Sequence, residues 1–164
     1  MIRKATTADI DAIRDIALVT FPHTYRDMLS PGQLEYMMDW MYSPESLLSQ
    51  MSEKGHVYYI SPGEGYVSVR PDGMTDDGRD RYHLEKIYVM PSLQGTGLGR
   101  RLFDTAVEHV LALSPNHPRI ELNVNRNNGA VSFYEHLGMH CDRSGDFPIG
   151  GGYYMNDHIM AIDL

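Results

Sequence analysis

The sequence predicts an α/β (α+β) domain built around one mixed β-sheet. Two observations lead to this prediction. Apolar residues recur at helical spacing before Gly55 and alternate as in strands from that residue onward. A helix predicted over 97–113 then separates two strand-like segments, which requires at least one parallel crossover. The expected order is β, several α, βββ, α, β, α, ββ.

The N-terminal part predicts a short strand followed by helices. Residues 1–5 could form the strand, Thr6 or Thr7 can cap the first helix, and Thr6 with Asp9 gives an approximate capping box. We expect Pro22 and the turn at 30–32 to break this region into short helical pieces. Two further helices follow, QLEYMMDWMY and SPESLLSQM.

The remaining elements are short strands joined by turns, with two helices between them. A hairpin turn at 62–65 joins HVYYIS to GYVSVR, and YHLEKIYV is the next strand. We expect the polar segment PDGMTDDGRDR to be a solvated loop. After helix 97–113 come the strand RIELNVN, the helix GAVSFYEHL and two strands around three consecutive glycines.

Composition limits the classes of partner. A chain of 164 residues fits a single domain over 1–164, and no apolar run approaches a membrane span. The formal net charge of −8 argues against nucleic acid and is compatible with a cationic small molecule. The only cysteine, Cys141, excludes an internal disulfide and suits a reducing cytoplasm. We therefore expect a cytoplasmic protein with no membrane or nucleic-acid partner, and the sequence leaves a homodimer open.

A glycine-rich stretch, QGTGLGR, lies at the junction between a strand and helix 97–113. Glycine costs about 0.5–1 kcal/mol in a helix relative to alanine, so Gly95, Gly97 and Gly99 need another explanation. Main-chain N–H groups at a helix N-terminus bind anions, and glycine lets a phosphate approach them closely. A Walker A loop would continue Gly-Lys-Ser/Thr, and a dinucleotide fingerprint would be GxGxxG; neither pattern fits. A turn without a ligand is the remaining alternative.

Two motifs resemble the GCN5-related N-acetyltransferase (GNAT) family. Gln94-x-x-Gly97-x-Gly99, after a strand and a proline, resembles its Q/R-x-x-G-x-G/A signature. LNVNRNNGAVSFYEHLGM resembles its second signature, with Met139 in place of the usual phenylalanine. Together they cover about residues 82–140. The N- and C-terminal segments are similar to a bacterial subgroup that includes spermidine/spermine acetyltransferases.

The resemblance implies a mostly antiparallel sheet of about seven strands, splayed where acetyl-CoA binds. It also implies that the glycine loop holds the pyrophosphate and that the backbone of 87–89 pairs with the pantetheine arm. No metal is expected. The residues that this resemblance assigns to the co-substrate are Ile87, Tyr88, Val89, Gln94, Gly95, Thr96, Gly97, Leu98, Gly99, Arg100, Asn127 and Tyr134.

The resemblance places a proton-donating tyrosine at Tyr134. A phenol with a pKa near 10 can protonate a thiolate whose thiol has a pKa near 8.5, if the two lie within hydrogen-bond reach. A core aromatic residue is the alternative. Asn127 and Asn128 could cap the following helix or reach the pantetheine amides.

The two motifs point to co-substrate residues and to Tyr134, but they do not identify the general base or the acceptor site. Glu85 is the candidate base, acting directly or through water. His23, Tyr25 and Glu35 are candidates for the mouth of the acceptor site.

A metal site is the main competing interpretation of the histidines. His136 and His140, with Cys141, mimic a helical zinc pair, but Gly138 should end the helix between them.

The sequence thus predicts direct acetyl transfer from acetyl-CoA to a primary amine, with a polyamine or another small amine as acceptor. A protein N-terminus, a lysine or an antibiotic amine is the alternative acceptor. The alternative classes are a non-catalytic acyl-CoA sensor and a nucleotide-phosphate binder.

Overall fold

The computed structural model describes residues 1–164. The helices are α1 Ile10–Tyr25, α2 Pro31–Tyr42, α3 Pro44–Ser52, α4 Leu98–Leu113 and α5 Ala130–His136, and short 3-10 turns lie at 7–9 and 91–93. The strands are β1 Arg3–Lys4, β2 Val57–Ser61, β3 Gly65–Met74, β4 Asp80–Val89, β5 Arg119–Asn125, β6 His140–Gly150 and β7 Tyr153–Asp163.

All seven strands form one sheet in the order β1-β2-β3-β4-β5-β7-β6. Only β4 and β5 are parallel; α4 crosses between them, and every other neighbouring pair is antiparallel. The predicted mixed, mostly antiparallel sheet is therefore confirmed.

The helices cover both faces of the sheet because the strands alternate apolar residues between the two faces. Tyr66 belongs to a core shared with α1, α2 and α3, whereas its neighbour Val67 belongs to a core shared with α4 and α5. Both side chains are fully buried. No helix combines the length and apolarity that crossing a membrane requires.

The expected helix break at Pro22 is wrong. Helix α1 continues through Pro22 to Tyr25, and the N–H of Arg26 donates to the Pro22 carbonyl at 3.0 Å. Proline removes a single main-chain donor near the end of this helix. Buried Phe21 packs against Tyr25 with ring centroids 4.7 Å apart, so the last turn is held by tertiary contacts.

The expected loop at 71–81 is also wrong. Strand β3 extends to Met74 and pairs with β4 from Asp80, so only residues 75–79 form the turn. The N–H of Thr75 donates to the Arg79 carbonyl at 2.8 Å. An antiparallel hairpin can project into solvent with polar side chains, so polarity alone did not distinguish it from a loop.

The splay in the sheet begins close to the start of β5. The parallel ladder joins Arg81 to Arg119, Tyr82 to Ile120 and His83 to Glu121, and then ends. A register shift against β3 leaves Glu85 without a partner. From Leu84 to Val89, the edge of β4 that faces β5 therefore has no strand beside it.

Candidate active site

A cavity of about 680 Å³ fills the gap between β4 and β5. One wall is β4 residues 84–89, and another is β5 residues 122–124. The cavity continues to the glycine loop and α5, which lie on one face of the sheet. It also reaches the end of α1, which packs on the other face. Two ligands can therefore approach the gap from opposite faces.

The glycine loop turns sharply into α4. Gly95 and Gly97 have φ of +82° and +86°, which is left-handed backbone that favours glycine. A Cβ on Gly95 would meet nothing within 4 Å, so the main chain there is bare toward the cavity. Gly97 is the N-cap of α4, and the first N–H groups of that helix have no intrahelical partner. This geometry fits an anion with several acceptor oxygens.

Gly99 has a different role from the other two glycines. A Cβ there would lie 3.2 Å from the Phe133 ring, so a side chain would crowd that ring on α5. Both residues line the cavity. The third glycine therefore leaves room for the Phe133 ring beside the start of α4.

Nine of the twelve residues assigned to the co-substrate line the cavity; Thr96, Leu98 and Asn127 do not. Leu98 is 2% exposed and packs in the core, so only its main chain can face the loop. The Thr96 hydroxyl donates to the Leu93 carbonyl at 2.6 Å.

The structure places Asn128, and not Asn127, in the cavity. The main-chain N–H of Asn127 donates to the Asn125 side chain at 2.9 Å, which closes the turn after β5. Asn128 accepts from the N–H of Ala130 at 2.9 Å at the start of α5. The tight turn decides which asparagine faces inward.

Tyr134 lies on α5 at the cavity wall and is 8% exposed. Burial raises the pKa of its phenol, and the nearby Tyr25 adds to this shift. The hydroxyl therefore keeps its proton at neutral pH, as a proton donor must. Its neighbour Phe133 packs edge-on at 5.4 Å between ring centroids.

Of the three residues predicted for the acceptor site, two line the cavity and one does not. His23 and Tyr25 line the cavity from α1. The hydroxyl groups of Tyr25 and Tyr88 lie 3.2 Å apart, and burial raises the pKa of both phenols. Glu35 is exposed on α2 and lies outside the cavity lining.

Glu85 lines the cavity at the irregularity in β4, and its carboxylate is already engaged. It accepts a charge-assisted hydrogen bond from Nε of Arg70, and Arg70 also pairs with Asp72 at 3.1 Å. If Glu85 acts as a base, its carboxylate must accept the proton while it is hydrogen-bonded to the guanidinium of Arg70.

Lys86 also lines the cavity, although no motif in the sequence pointed to it, and its side chain is buried under α2 and α3. Its Nζ donates to the Tyr58 hydroxyl at 2.6 Å, to Gln50 at 3.0 Å and to the Met41 carbonyl at 3.1 Å. It also lies 4.2 Å from the centre of the Tyr42 ring. Burial lowers the pKa of Lys86 from 10.5 to about 7.

Asn123 and Asp157 form a second polar pair that sequence analysis did not assign to the site. Nδ2 of Asn123 donates to the Asp157 carboxylate at 3.2 Å. The position of Asp157 in the sequence could have indicated its burial. In β7, Met155, Asp157 and Ile159 are two residues apart, so their side chains lie on one face of the sheet. A carboxylate between two apolar residues of one face indicates a buried charge.

The residues described form no cluster of three or more His, Cys, Asp or Glu side chains able to hold a metal ion. Helix α5 ends at His136 and β6 begins at His140, so these two imidazoles belong to different elements.

Comparison with known proteins identifies the family. Residues 26–146 match the family model described as an acetyltransferase (GNAT) domain. The chain is 29% identical over 103 residues to the uncharacterized N-acetyltransferase YjgM of Escherichia coli strain K12, and the match spans 60% of each protein.

Solved structures share the fold across the whole chain. PaiA N-acetyltransferase from Thermoplasma acidophilum, in complex with coenzyme A, aligns with a TM-score of 0.75 and 20% identity, over 100% of this chain and 98% of that one. The ribosomal-protein-S18-alanine N-acetyltransferase of Escherichia coli aligns with a TM-score of 0.68 and 20% identity, over 99% and 92%. With the family model matching most of its length, the chain belongs to the GNAT acetyltransferase family.

Proposed function

We propose that the protein is an acetyl-CoA-dependent N-acetyltransferase that acts directly on a primary amine, and that this amine is a polyamine or another small amine. The observation that carries the proposal is the open edge of β4, which leads to a bare, glycine-lined helix N-terminus. An arm that carries amides can add to an open strand edge, and phosphates bind at such a helix N-terminus. Coenzyme A has both parts in one extended molecule.

Two sets of residues are proposed to bind the co-substrate, one at its pantetheine arm and one at its pyrophosphate. Main-chain atoms of 87–89 face the amide-bearing arm, and the loop from Gln94 to Arg100 surrounds the pyrophosphate. Within that loop, Thr96 and Leu98 contribute main-chain atoms only. Asn128 takes the role first assigned to Asn127, because its side chain is the one that lines the cavity.

The reaction needs one proton donor and one proton acceptor. The acetyl carbon exchanges its bond to sulfur for a bond to the amine nitrogen; the nitrogen loses a proton and the leaving sulfur gains one. Tyr134 is the proposed donor, since it lines the cavity with its phenol protonated. Glu85 remains the proposed base, acting through water while Arg70 holds its carboxylate in place.

Direct transfer is supported by the two-sided cavity, which can hold both substrates at once. Cys141, the one cysteine, is exposed on β6 outside the cavity, so no acyl-enzyme is proposed. A net charge of −8 favours a cationic acceptor, and a reducing cytoplasm suits the free thiol.

Two measurements test this function. Coenzyme A should raise the melting temperature, and neither ATP nor NAD should displace it. A thiol-release assay should then detect turnover with putrescine or spermidine ahead of neutral amino acids, aminoglycosides and a peptide with a free N-terminus. Tight coenzyme A binding without turnover of any amine would instead identify an acyl-CoA sensor, and displacement by ATP would identify a nucleotide-phosphate binder.

A further inference from the structure

A second, smaller cavity of about 30 Å³ lies beside the main one, between α1–α2 and strands β5 and β7. Tyr25 and Asn123 line both cavities, so the two are adjacent. The small cavity holds little more than one water-sized group. It is therefore a place for the end of a ligand and not for a whole acceptor.

The charged group at this cavity is the carboxylate of Asp157, a residue that is only 2% exposed, and three amide side chains line the cavity beside it: Gln33, Asn123 and Asn125. One side-chain hydrogen bond reaches it, from Asn123 at 3.2 Å. No lysine, arginine or histidine forms an ion pair with it, although ion pairs are frequent elsewhere in the protein. A buried carboxylate without a cationic partner is costly, and proteins seldom keep one without use.

Arg126 and His158 are basic side chains in the neighbourhood of Asp157, and both are hydrogen-bonded elsewhere. Arg126 donates to the Gly145 carbonyl at 3.0 Å and pairs with Asp146. Nδ1 of His158 lies 2.6 Å from the Ser144 hydroxyl. The Asp157 carboxylate is therefore left for a cation that the chain does not supply.

The rest of the small cavity also suits an ammonium group carried on methylenes. Leu29, Met37 and Met155 provide apolar wall, and Tyr25 provides an aromatic ring. Aromatic rings and carboxylates together attract alkylammonium groups, and apolar side chains accommodate the methylenes. No basic side chain lines this cavity to repel a cation.

We propose that Asp157 binds one ammonium group of a diamine or polyamine acceptor, while another amine of the same molecule lies in the main cavity. The inference rests on the proposed function and deepens it, because it names the acceptor class and the residue that selects it. Asn123 is a positioning residue, since it lines both cavities and donates to the Asp157 carboxylate in the small one. The ammonium bound by Asp157 keeps its protons and is not acetylated.

The test is binding of putrescine and of butylamine to the coenzyme A-bound protein, measured by titration calorimetry. A charged hydrogen bond in a buried site should make putrescine bind about 10- to 100-fold more tightly than butylamine. Asp157→Asn keeps the size of the side chain and should reduce that ratio to about one. Asp76→Asn, which removes an exposed carboxylate in the remote turn at 75–79, outside both cavities, should leave the ratio unchanged.

The melting temperatures of the native protein and of Asp157→Asn can be compared without any acceptor present. Asp157→Asn removes a buried charge and should melt at the same or a higher temperature than the native protein. If the Asp157→Asn protein does not fold, Asp157→Ser is a second variant that removes the carboxylate.

The outcomes separate this inference from the proposed function. A putrescine-to-butylamine ratio near one in the native protein, or a ratio that survives in Asp157→Asn, would overturn the subsite. Loss of the ratio in that variant supports the subsite even if thiol release is never detected, in which case the acetyltransferase proposal alone fails.

Discussion

Tyr134 links the sequence motif to the proposed chemistry most directly. Replacement by phenylalanine removes the hydroxyl and retains the ring that packs beside Phe133. Because only the proposed proton donor is lost, kcat should fall by about 10²- to 10⁴-fold while coenzyme A affinity changes little. Thiol release and calorimetry measure the two quantities.

Tyr154→Phe is the matched control for this substitution. Tyr154 is 54% exposed on β7 and lies outside the cavity, so its loss should leave kcat unchanged. Normal turnover by Tyr134→Phe with every active amine would show that another group protonates the leaving thiolate.

Lys86 illustrates how burial alone produces a pH response. Its pKa is about 7 in the folded protein and 10.5 in the unfolded chain, so between these values unfolding takes up a proton. The free energy of unfolding should therefore rise with pH across this window, by about 1–2 kcal/mol between about pH 7 and about pH 9.

Lys86→Met should abolish most of that rise, as denaturant titrations at the two pH values would measure. Lys54→Met is the control, because Lys54 is exposed. An equal slope in the native protein and in Lys86→Met would show that Lys86 stays charged when buried, held by its three oxygen acceptors and the Tyr42 ring.

At the scale of elements, the strand–loop–helix unit from β4 to α4 forms the proposed phosphate site. Gly95 and Gly78 provide a matched pair. Their φ angles are +82° and +83°, and a Cβ on either would meet nothing within 4 Å. Gly95 lines the cavity, whereas Gly78 lies in the remote turn at 75–79.

Alanine at either position should lower the free energy of unfolding by about 1–2 kcal/mol, since both require left-handed backbone. Only Gly95→Ala should also weaken coenzyme A binding, by roughly 10-fold, because its Cβ occupies the space proposed for the phosphates. Calorimetry with coenzyme A and thermal melting separate the two effects. Equal coenzyme A affinity in the two variants would place the pyrophosphate elsewhere.

At the scale of the whole molecule, the net charge of −8 should attract the proposed cationic acceptor before it binds. Salt screens exposed charges beyond a distance of about 10 Å at 0.1 M, and beyond a shorter distance at higher ionic strength, and it affects a buried contact much less. Raising the ionic strength from about 0.05 M to about 0.5 M should therefore reduce the kcat/KM preference for spermidine over neutral amino acids by roughly 2- to 10-fold, without abolishing it.

The preference that remains at high salt should depend on Asp157, which is buried. Asp157→Asn at high salt should lose most of it. A preference that is insensitive to salt would show that the exposed charges contribute nothing to selectivity.

Much of the fold could be predicted because the relevant signals are local. Periodicity located the strand at 119–125 and the helix after the glycine loop, and the capping box at Thr6 and Asp9 is present. Where local signals were weak, tertiary contacts decided the outcome: α1 continues through Pro22, and the polar segment after Arg70 is a hairpin.

The sequence by itself determined the family motifs, because left-handed glycines and a tyrosine one turn into a helix are properties of short segments. The tertiary structure alone decided where β4 and β5 separate, which asparagine faces the cavity, and that Asp157 lies buried beside Asn123, 34 residues earlier in the chain. The physical reason is that strand register and the packing of distant elements set burial and charge pairing, and neither is encoded in a local pattern.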